Sequence, residues 1–169
     1  MFKSLRSIIS LARLSYLLYA YFLSLKDFNW SRLLTRNITT NETCPYGEYI
    51  NAGKTRSPEE YAAKPQTAMV DIYSLGNIFY ILLSNNYPWR AIPTWKEAAE
   101  LVKEGKRPPM LKEVLQSEHP VDRALLEAMH MSQEQDPKER ASALQVLNVL
   151  QDVLEEIDPG RLQAWGVKF

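Results

Sequence analysis

Residues 70–83 read Val-Asp-Ile-Tyr-Ser-Leu-Gly-Asn-Ile-Phe-Tyr-Ile-Leu-Leu, and this stretch decides the predicted fold. Apolar residues occupy nearly every side of a helix of about four turns, so we expect it to be the buried centre of a domain. Asp71 lies at its start, and because an unpaired buried carboxylate is costly, we expect Asp71 to have partners. Gly76 lies mid-helix, where glycine costs about 1 kcal/mol relative to alanine, and close approach by another backbone segment would explain it.

Other stretches also carry helix signals. Thr94 is a good N-cap for the amphipathic stretch that ends at Gly105, so a helix is predicted between them. Further helices are predicted from Pro120 to Met131 and from Ser142 to Ile157, where apolar residues recur at helical spacing. A short helix is predicted to start at Pro58, since proline suits a first turn and the two acids after it suit the positive end of the helix dipole. The predicted fold class is therefore mainly α.

Four short motifs follow one another along the chain. They are Asp27-Phe28-Asn29, Ser57-Pro58-Glu59, the 71–76 part of the central helix followed by Tyr87-Pro88-Trp89, and Asp136-Pro137-Lys138-Glu139-Arg140. The first two resemble the Asp-Phe-Gly motif that opens the activation segment of protein kinases and the Ala-Pro-Glu motif that closes it. The third resembles the central helix of the kinase C-terminal lobe. The fourth resembles the Asp-Pro-x-x-Arg loop before the last helix of that lobe. The resemblance covers about residues 22–151. It implies a protein-kinase-like C-lobe over residues 22–157, a helical bundle around a buried central helix, with an activation segment at about residues 27–59.

The resemblance assigns roles to three charged residues. Asp27 matches the aspartate that holds the magnesium ions bridging the ATP phosphates, although in this chain we expect it to be idle. Glu59 matches a glutamate that pairs with the arginine of the later loop, here Arg140, through two hydrogen bonds of a planar guanidinium. The expected pair is a structural clamp with no catalytic role. Asn29 replaces the family glycine, a mild departure because asparagine tolerates positive φ.

The expected activation segment is rich in hydroxyl groups. Phosphorylation orders this segment in many kinases through new arginine contacts, and Arg32, Arg36 and Arg56 are available for such contacts. The alternative is a surface loop whose hydroxyls are never modified. The possible phosphorylation sites are Thr35, Thr39, Thr40, Thr43 and Thr55.

A working kinase also needs a Gly-rich loop over the phosphates, a strand lysine paired with a helix glutamate, and a His-Arg-Asp catalytic loop. None of these motifs occurs in the sequence, and the stretch before Asp27 is too short for an N-terminal lobe. We therefore expect no catalytic residue, no phosphate transfer by this chain alone, and no binding of the Mg and ATP that the family uses. Three interpretations stay open: an incomplete kinase acting on protein substrates, a non-catalytic pseudokinase-type module that holds protein partners, and a lumenal, membrane-anchored kinase-like protein.

Composition excludes some classes of function. The 20 Lys and Arg residues balance 20 Asp and Glu residues, so no basic field indicates a nucleic-acid partner. Cys44 is the only cysteine, which excludes an internal disulfide, and it lacks companions at metal-ligand spacing. His119 and His130 have no nucleophile pattern nearby and are predicted to be structural or exposed.

Residues 1–21 form a hydrophobic N-terminal segment, and residues 158–169 form a C-terminal tail. Within residues 8–25 the uninterrupted apolar run is only about a dozen residues, short of the roughly 20 that span a bilayer as a helix. Packing on the domain is therefore favoured over membrane insertion, and an intracellular location over a lumenal one. Asn-x-Ser/Thr sequons at Asn29, Asn37 and Asn41 would fit the lumenal, membrane-anchored alternative.

Overall fold

The computed structural model describes residues 35–46 and 52–160, which belong to one compact unit. The prediction of a mainly α-helical domain is confirmed for these residues. Their helices are α1 (Pro58–Tyr61), α2 (Met69–Ser84), α3 (Trp95–Lys103), α4 (Lys112–Leu115), α5 (Pro120–Ser132) and α6 (Ala143–Ile157). Strand-type pairing in these ranges is limited to isolated bridges, Arg36 with Thr43 and Tyr46 with Gln66. The predictions for residues 1–21 and 22–34, and for 161–169 of the tail, lie outside the described residues.

The central helix of this unit is α2, as the sequence predicted. It packs against α5, which packs in turn against α6. Most of its circumference is buried; Leu83, for example, is 2% exposed, and burying a leucine side chain contributes roughly 1.5–3 kcal/mol. The expectation of burial on nearly every side is wrong for one side, where Asp71 is exposed and Ile78 is 51% exposed. That side is open because the described elements pack against the rest of the helix.

Local residues determine where the helices begin and end. At the start of α3, Thr94 Oγ1 accepts a hydrogen bond from the backbone N–H of Glu97 at 3.2 Å. At the start of α6, Ser142 and Gln145 form a reciprocal capping box. After α2, Asn85 adopts the left-handed conformation with φ +55° and donates its N–H back to the last turn. Because these signals are local, the predicted helices match the observed bounds to within about two residues.

A cluster of aromatic and small side chains joins α1 and α3 to α2. Tyr61 of α1 and Tyr73 of α2 pack with Trp89 of the loop after α2, and the small side chains of α3, with Ala98 at 0% exposure, complete the cluster. The cluster therefore holds the short helix α1 and the 85–94 loop on the central helix.

Gly76 lies where α2 packs against the last turn of α5. A Cβ atom at this position would lie 2.6 Å from Gln133 Cγ, 3.1 Å from Ser132 Cβ and 3.3 Å from the Met129 carbonyl oxygen. These distances are shorter than the 3.5–4.0 Å of ordinary carbon contacts, so a side chain at this position would be crowded. The close approach expected from the sequence is therefore observed, and it explains a glycine inside a helix.

We expect Gly76→Ala to lower the free energy of unfolding by about 1–2 kcal/mol, because overpacking against Gln133 outweighs the gain in helix propensity. Urea unfolding followed by circular dichroism measures the change, and Ser74→Ala on the same helix is the control for propensity. A Gly76→Ala midpoint equal to or above that of the wild type would contradict the close-packing explanation.

Candidate functional site

The candidate site is built around a buried ion pair between α1 and the loop after α5. Arg140 donates from Nη1 to Glu59 Oε1 at 2.7 Å and from Nη2 to Glu59 Oε2 at 3.1 Å. The two side chains are 0% and 4% exposed, respectively. The structure thus brings together the two residues that the resemblance paired, which are 81 positions apart in the chain. Because both charges are out of water, each depends on the other for compensation.

Arg140 makes further contacts that connect three helices. Its Nη1 also donates to the Met69 carbonyl at the start of α2 (2.6 Å), and its Nε donates to the Glu134 carbonyl just after α5 (3.0 Å). The guanidinium carbon lies 5.1 Å from the centre of the Tyr73 ring, within range of a cation–π contact. Burial raises the pKa of Tyr73 to about 12, so its phenol is neutral beside the ion pair at ordinary pH.

Polar contacts also hold the segment before α1. Ser57 donates from its backbone N–H and its hydroxyl to Glu60 Oε2, at 2.8 Å and 3.0 Å. The Tyr61 hydroxyl donates to the Gly53 carbonyl, and burial raises the pKa of that hydroxyl. Residues 53–57, next to the motif that resembles the end of an activation segment, therefore have a defined conformation on α1.

A buried polar chain that the sequence analysis missed connects this segment to α5. Asn77 of α2 donates through Nδ2 to the Thr55 carbonyl at 2.9 Å and accepts at Oδ1 from Gln133 Nε2 at 3.0 Å. Asn77 and Gln133 are 5% and 3% exposed. The available signal was a single amide inside an apolar helix, directly after Gly76. Nothing in the sequence marked Gln133 as its partner.

Arg107 forms a second polar cluster, at the end of α5. Its Nη1 is hydrogen-bonded to His130 Nδ1, and its Nη2 donates to Glu134 Oε1 at 3.0 Å. His130 must keep Nδ1 unprotonated to accept from an arginine. Burial, and then the charge of Arg107, lower the pKa of His130. His119 is the N-cap of α5, so both histidines have structural roles, as predicted.

Asp71 does not occupy the buried position that the sequence analysis expected. It is exposed, and no hydrogen bond or ion pair joins its side chain to another of the described residues. The protein on its inner side nevertheless displaces enough water to raise the pKa of the carboxyl group. The expectation of burial is wrong because α2 is open on this side, and the described part of the chain places no partner there.

The predicted phosphorylation sites fall in two places. Thr55 is partly buried, whereas the others lie on an exposed turn, namely Thr35, Thr39, Thr40 and Thr43. Of the arginines expected to contact a phosphate, Arg36 is bonded to a side chain of the same turn and Arg56 is paired with Glu60. Arg32 lies outside the described residues. Phosphorylation of this segment stays a prediction.

Asp27, which the resemblance assigns to magnesium, also lies outside the described residues. Within residues 35–46 and 52–160, no group of three or more His, Cys, Asp or Glu side chains is placed to hold a metal ion. In the same ranges no helix is long and apolar enough to cross a membrane. The described residues form buried polar contacts around α2, and none of these contacts is assigned to a step of phosphate transfer.

We expect Glu59→Gln and Arg140→Gln each to lower the free energy of unfolding by about 3–5 kcal/mol, because each leaves a buried charge unpaired. The double variant should lose less than the sum of the single losses, since neither charge is then present. Urea unfolding of the four proteins measures the coupling.

The exposed pair Lys103–Glu100 is the matched control, with an expected cost below about 1 kcal/mol for Glu100→Gln. If a single variant does not fold, soluble expression of the double variant still reports the coupling. Strict additivity of the two losses would rule out the clamp.

We expect stability to fall as the pH drops through the ordinary histidine pKa of about 6.5, because His130 binds a proton more readily in the unfolded state than beside Arg107. The loss is complete below the lowered pKa of the folded state. Urea midpoints at about pH 7.5 and about pH 5.5 measure it.

His130→Gln keeps a hydrogen-bonding side chain without this titration, so the drop between the two pH values should shrink. An equal or larger drop in the variant would show that the Arg107–His130 contact does not cause it.

No protein-family model matches the chain. The chain is similar to the serine/threonine-protein kinase STY17 of Arabidopsis thaliana, with 26% identity over 132 residues, which are 78% of this chain. It spans about a fifth (21%) of the length of that curated relative. A similarity of this strength supports a distant relationship to protein kinases, the class that the order of the four motifs indicated.

Proposed function

We propose that this chain carries the C-lobe part of a protein-kinase-type domain and that its 169 residues alone transfer no phosphate. The relationship to a kinase C-lobe is supported above all by the buried, bidentate Glu59–Arg140 pair. This pair joins the Ser57-Pro58-Glu59 motif to the motif that ends at Arg140. The similarity to a serine/threonine-protein kinase over 78% of the chain supports the same relationship.

In a lobe of this kind the pair acts as a latch between the end of the activation segment and the core. Glu59 is on α1, directly after residues 53–57, and Arg140 anchors it to the start of α2. The Asn77 amide holds the carbonyl of Thr55 to the same helix. A loop held at several points presents a stable surface to a protein substrate or partner, because less conformational entropy is lost on binding.

The second half of the proposal follows from what phosphate transfer requires. Catalysis depends on positioned charges: a lysine on the phosphates, a base for the acceptor hydroxyl and metal ions held by carboxylates. The sequence contains no Gly-rich loop and no His-Arg-Asp motif, so Asp27 has no companions of this kind within the 169 residues. We therefore propose that Asp27 is idle and that the chain alone binds neither Mg nor ATP.

We expect a fluorescent ATP analogue to show no Mg²⁺-dependent binding to this chain, and radiolabelled ATP to transfer no phosphate to the chain or to a generic protein substrate, because the phosphate-positioning groups are missing. Fluorescence anisotropy with Mg²⁺ and with EDTA measures binding.

Asp27→Asn is the matched control, since it removes the carboxylate assigned to magnesium. Tight, Mg²⁺-dependent binding that Asp27→Asn abolishes would contradict the proposal of inactivity. The proposed relationship to the kinase C-lobe would be unaffected by that result, but the chain would then have a nucleotide-binding site.

A non-catalytic module that binds a protein partner is the second candidate. It is favoured by apolar side chains at the surface, among them Ile78 at 51% and Leu144 at 61% exposure. Capture of a defined partner by a chain without nucleotide binding would distinguish this function from that of an enzyme.

A further inference from the structure

The surface between α5 and α6 contains a groove of about 370 Å³, here called the α5–α6 groove. Its floor is apolar and consists of Ala124 of α5 with Val149 and Val153 of α6. The two valines are one helical turn apart, and Ile157, 38% exposed, continues the same stripe at the next turn. The groove therefore follows the axis of α6 rather than forming a closed pocket.

The apolar side chains of α6 are only partly covered. Of its eight Leu, Val and Ile side chains, Val146 is buried, five are partly buried, and Leu144 and Ile157 are exposed. An amphipathic helix gains most of its stability by covering its apolar stripe, so the partly buried and exposed side chains of α6 leave apolar surface that another molecule can cover.

The rim of the groove is acidic. It carries Glu118, Glu127, Asp152 and Glu156 against one cation, Arg123, so its formal charge is −3 (four acids less one base). No hydrogen bond or ion pair joins these rim side chains to another of the described residues. Since the whole chain has a net charge of zero, the excess of negative charge here is local.

We propose that the α5–α6 groove binds an amphipathic, basic helix of a partner protein. Such a helix places apolar side chains at positions i, i+3, i+4 and i+7 on the valine floor, and Lys or Arg residues beside the stripe reach the rim carboxylates. The exposed length of α6 suits a partner helix of about four turns, since 15 residues extend roughly 22 Å. The proposal goes beyond the kinase-type function because it depends only on α5 and α6.

The test uses the full chain and a fluorescent synthetic peptide of about four helical turns, with Leu at helical spacing and Lys at the flanking positions. Fluorescence anisotropy gives its Kd. Glu127→Lys with Asp152→Lys should weaken binding roughly tenfold or more, because both substitutions turn attraction into repulsion. The matched control, Glu104→Lys with Glu113→Lys, makes the same charge change at exposed positions outside the groove and should leave Kd unchanged.

Two further measurements separate the groove from general charge attraction. A peptide of the same composition with its leucines scattered around the helix should bind roughly tenfold more weakly, because it cannot cover the valine floor. Raising the salt from about 0.1 M to about 1 M should also weaken binding by the intact peptide, as the Debye length falls from about 10 Å to about 3 Å. Circular dichroism checks that each variant is folded.

Equal loss of binding in the groove variant and the control variant would overturn the proposal, since the attraction would then be non-specific. No binding by the Lys-rich peptide, or equal binding by the peptide with scattered leucines, would overturn it as well. The nucleotide experiment is independent of these outcomes.

Discussion

Burial of the Arg140 guanidinium is the constraint on which the described structure depends. A cation removed from water loses several kcal/mol of solvation, and only a full set of acceptors compensates for that loss. The acceptors come from Glu59 on α1, from the Met69 carbonyl at the start of α2 and from the Glu134 carbonyl after α5. Because none of them can move away without leaving charge uncompensated, α1, only four residues long, has a fixed place against much longer helices.

A second constraint acts between α2 and α5. Gly76 leaves space for the Gln133 side chain, which then bonds to Asn77 instead of water. A buried amide that loses its partner costs about 1–3 kcal/mol, so the chain of bonds from Gln133 through Asn77 to the Thr55 carbonyl favours one register of α5 on α2. The same bonds that align two core helices therefore also position the segment before α1.

The distribution of charge on the surface depends on which charged side chains are paired inside the fold. Arg140 is paired with Glu59, and Arg107 is paired with Glu134. Along the groove between α5 and α6, four carboxylates lie beside one arginine, Arg123, so a chain of zero net charge has an acidic, partly apolar face there. The open side of α2 combines Asp71 with the exposed Ile78 in a similar way.

The sequence by itself determined the helices and their ends, because caps such as Thr94 and Ser142 and the spacing of apolar residues act within a few turns of chain. The partner of Glu59 could be named only through the resemblance of two distant motifs to those of protein kinases. Tertiary structure alone decided that one side of α2 is open, so that Asp71 is exposed, and that Gln133 meets Asn77 and Arg107 meets His130. These contacts depend on the register and angle at which α5 lies against its neighbours, and no local pattern along the chain encodes either quantity.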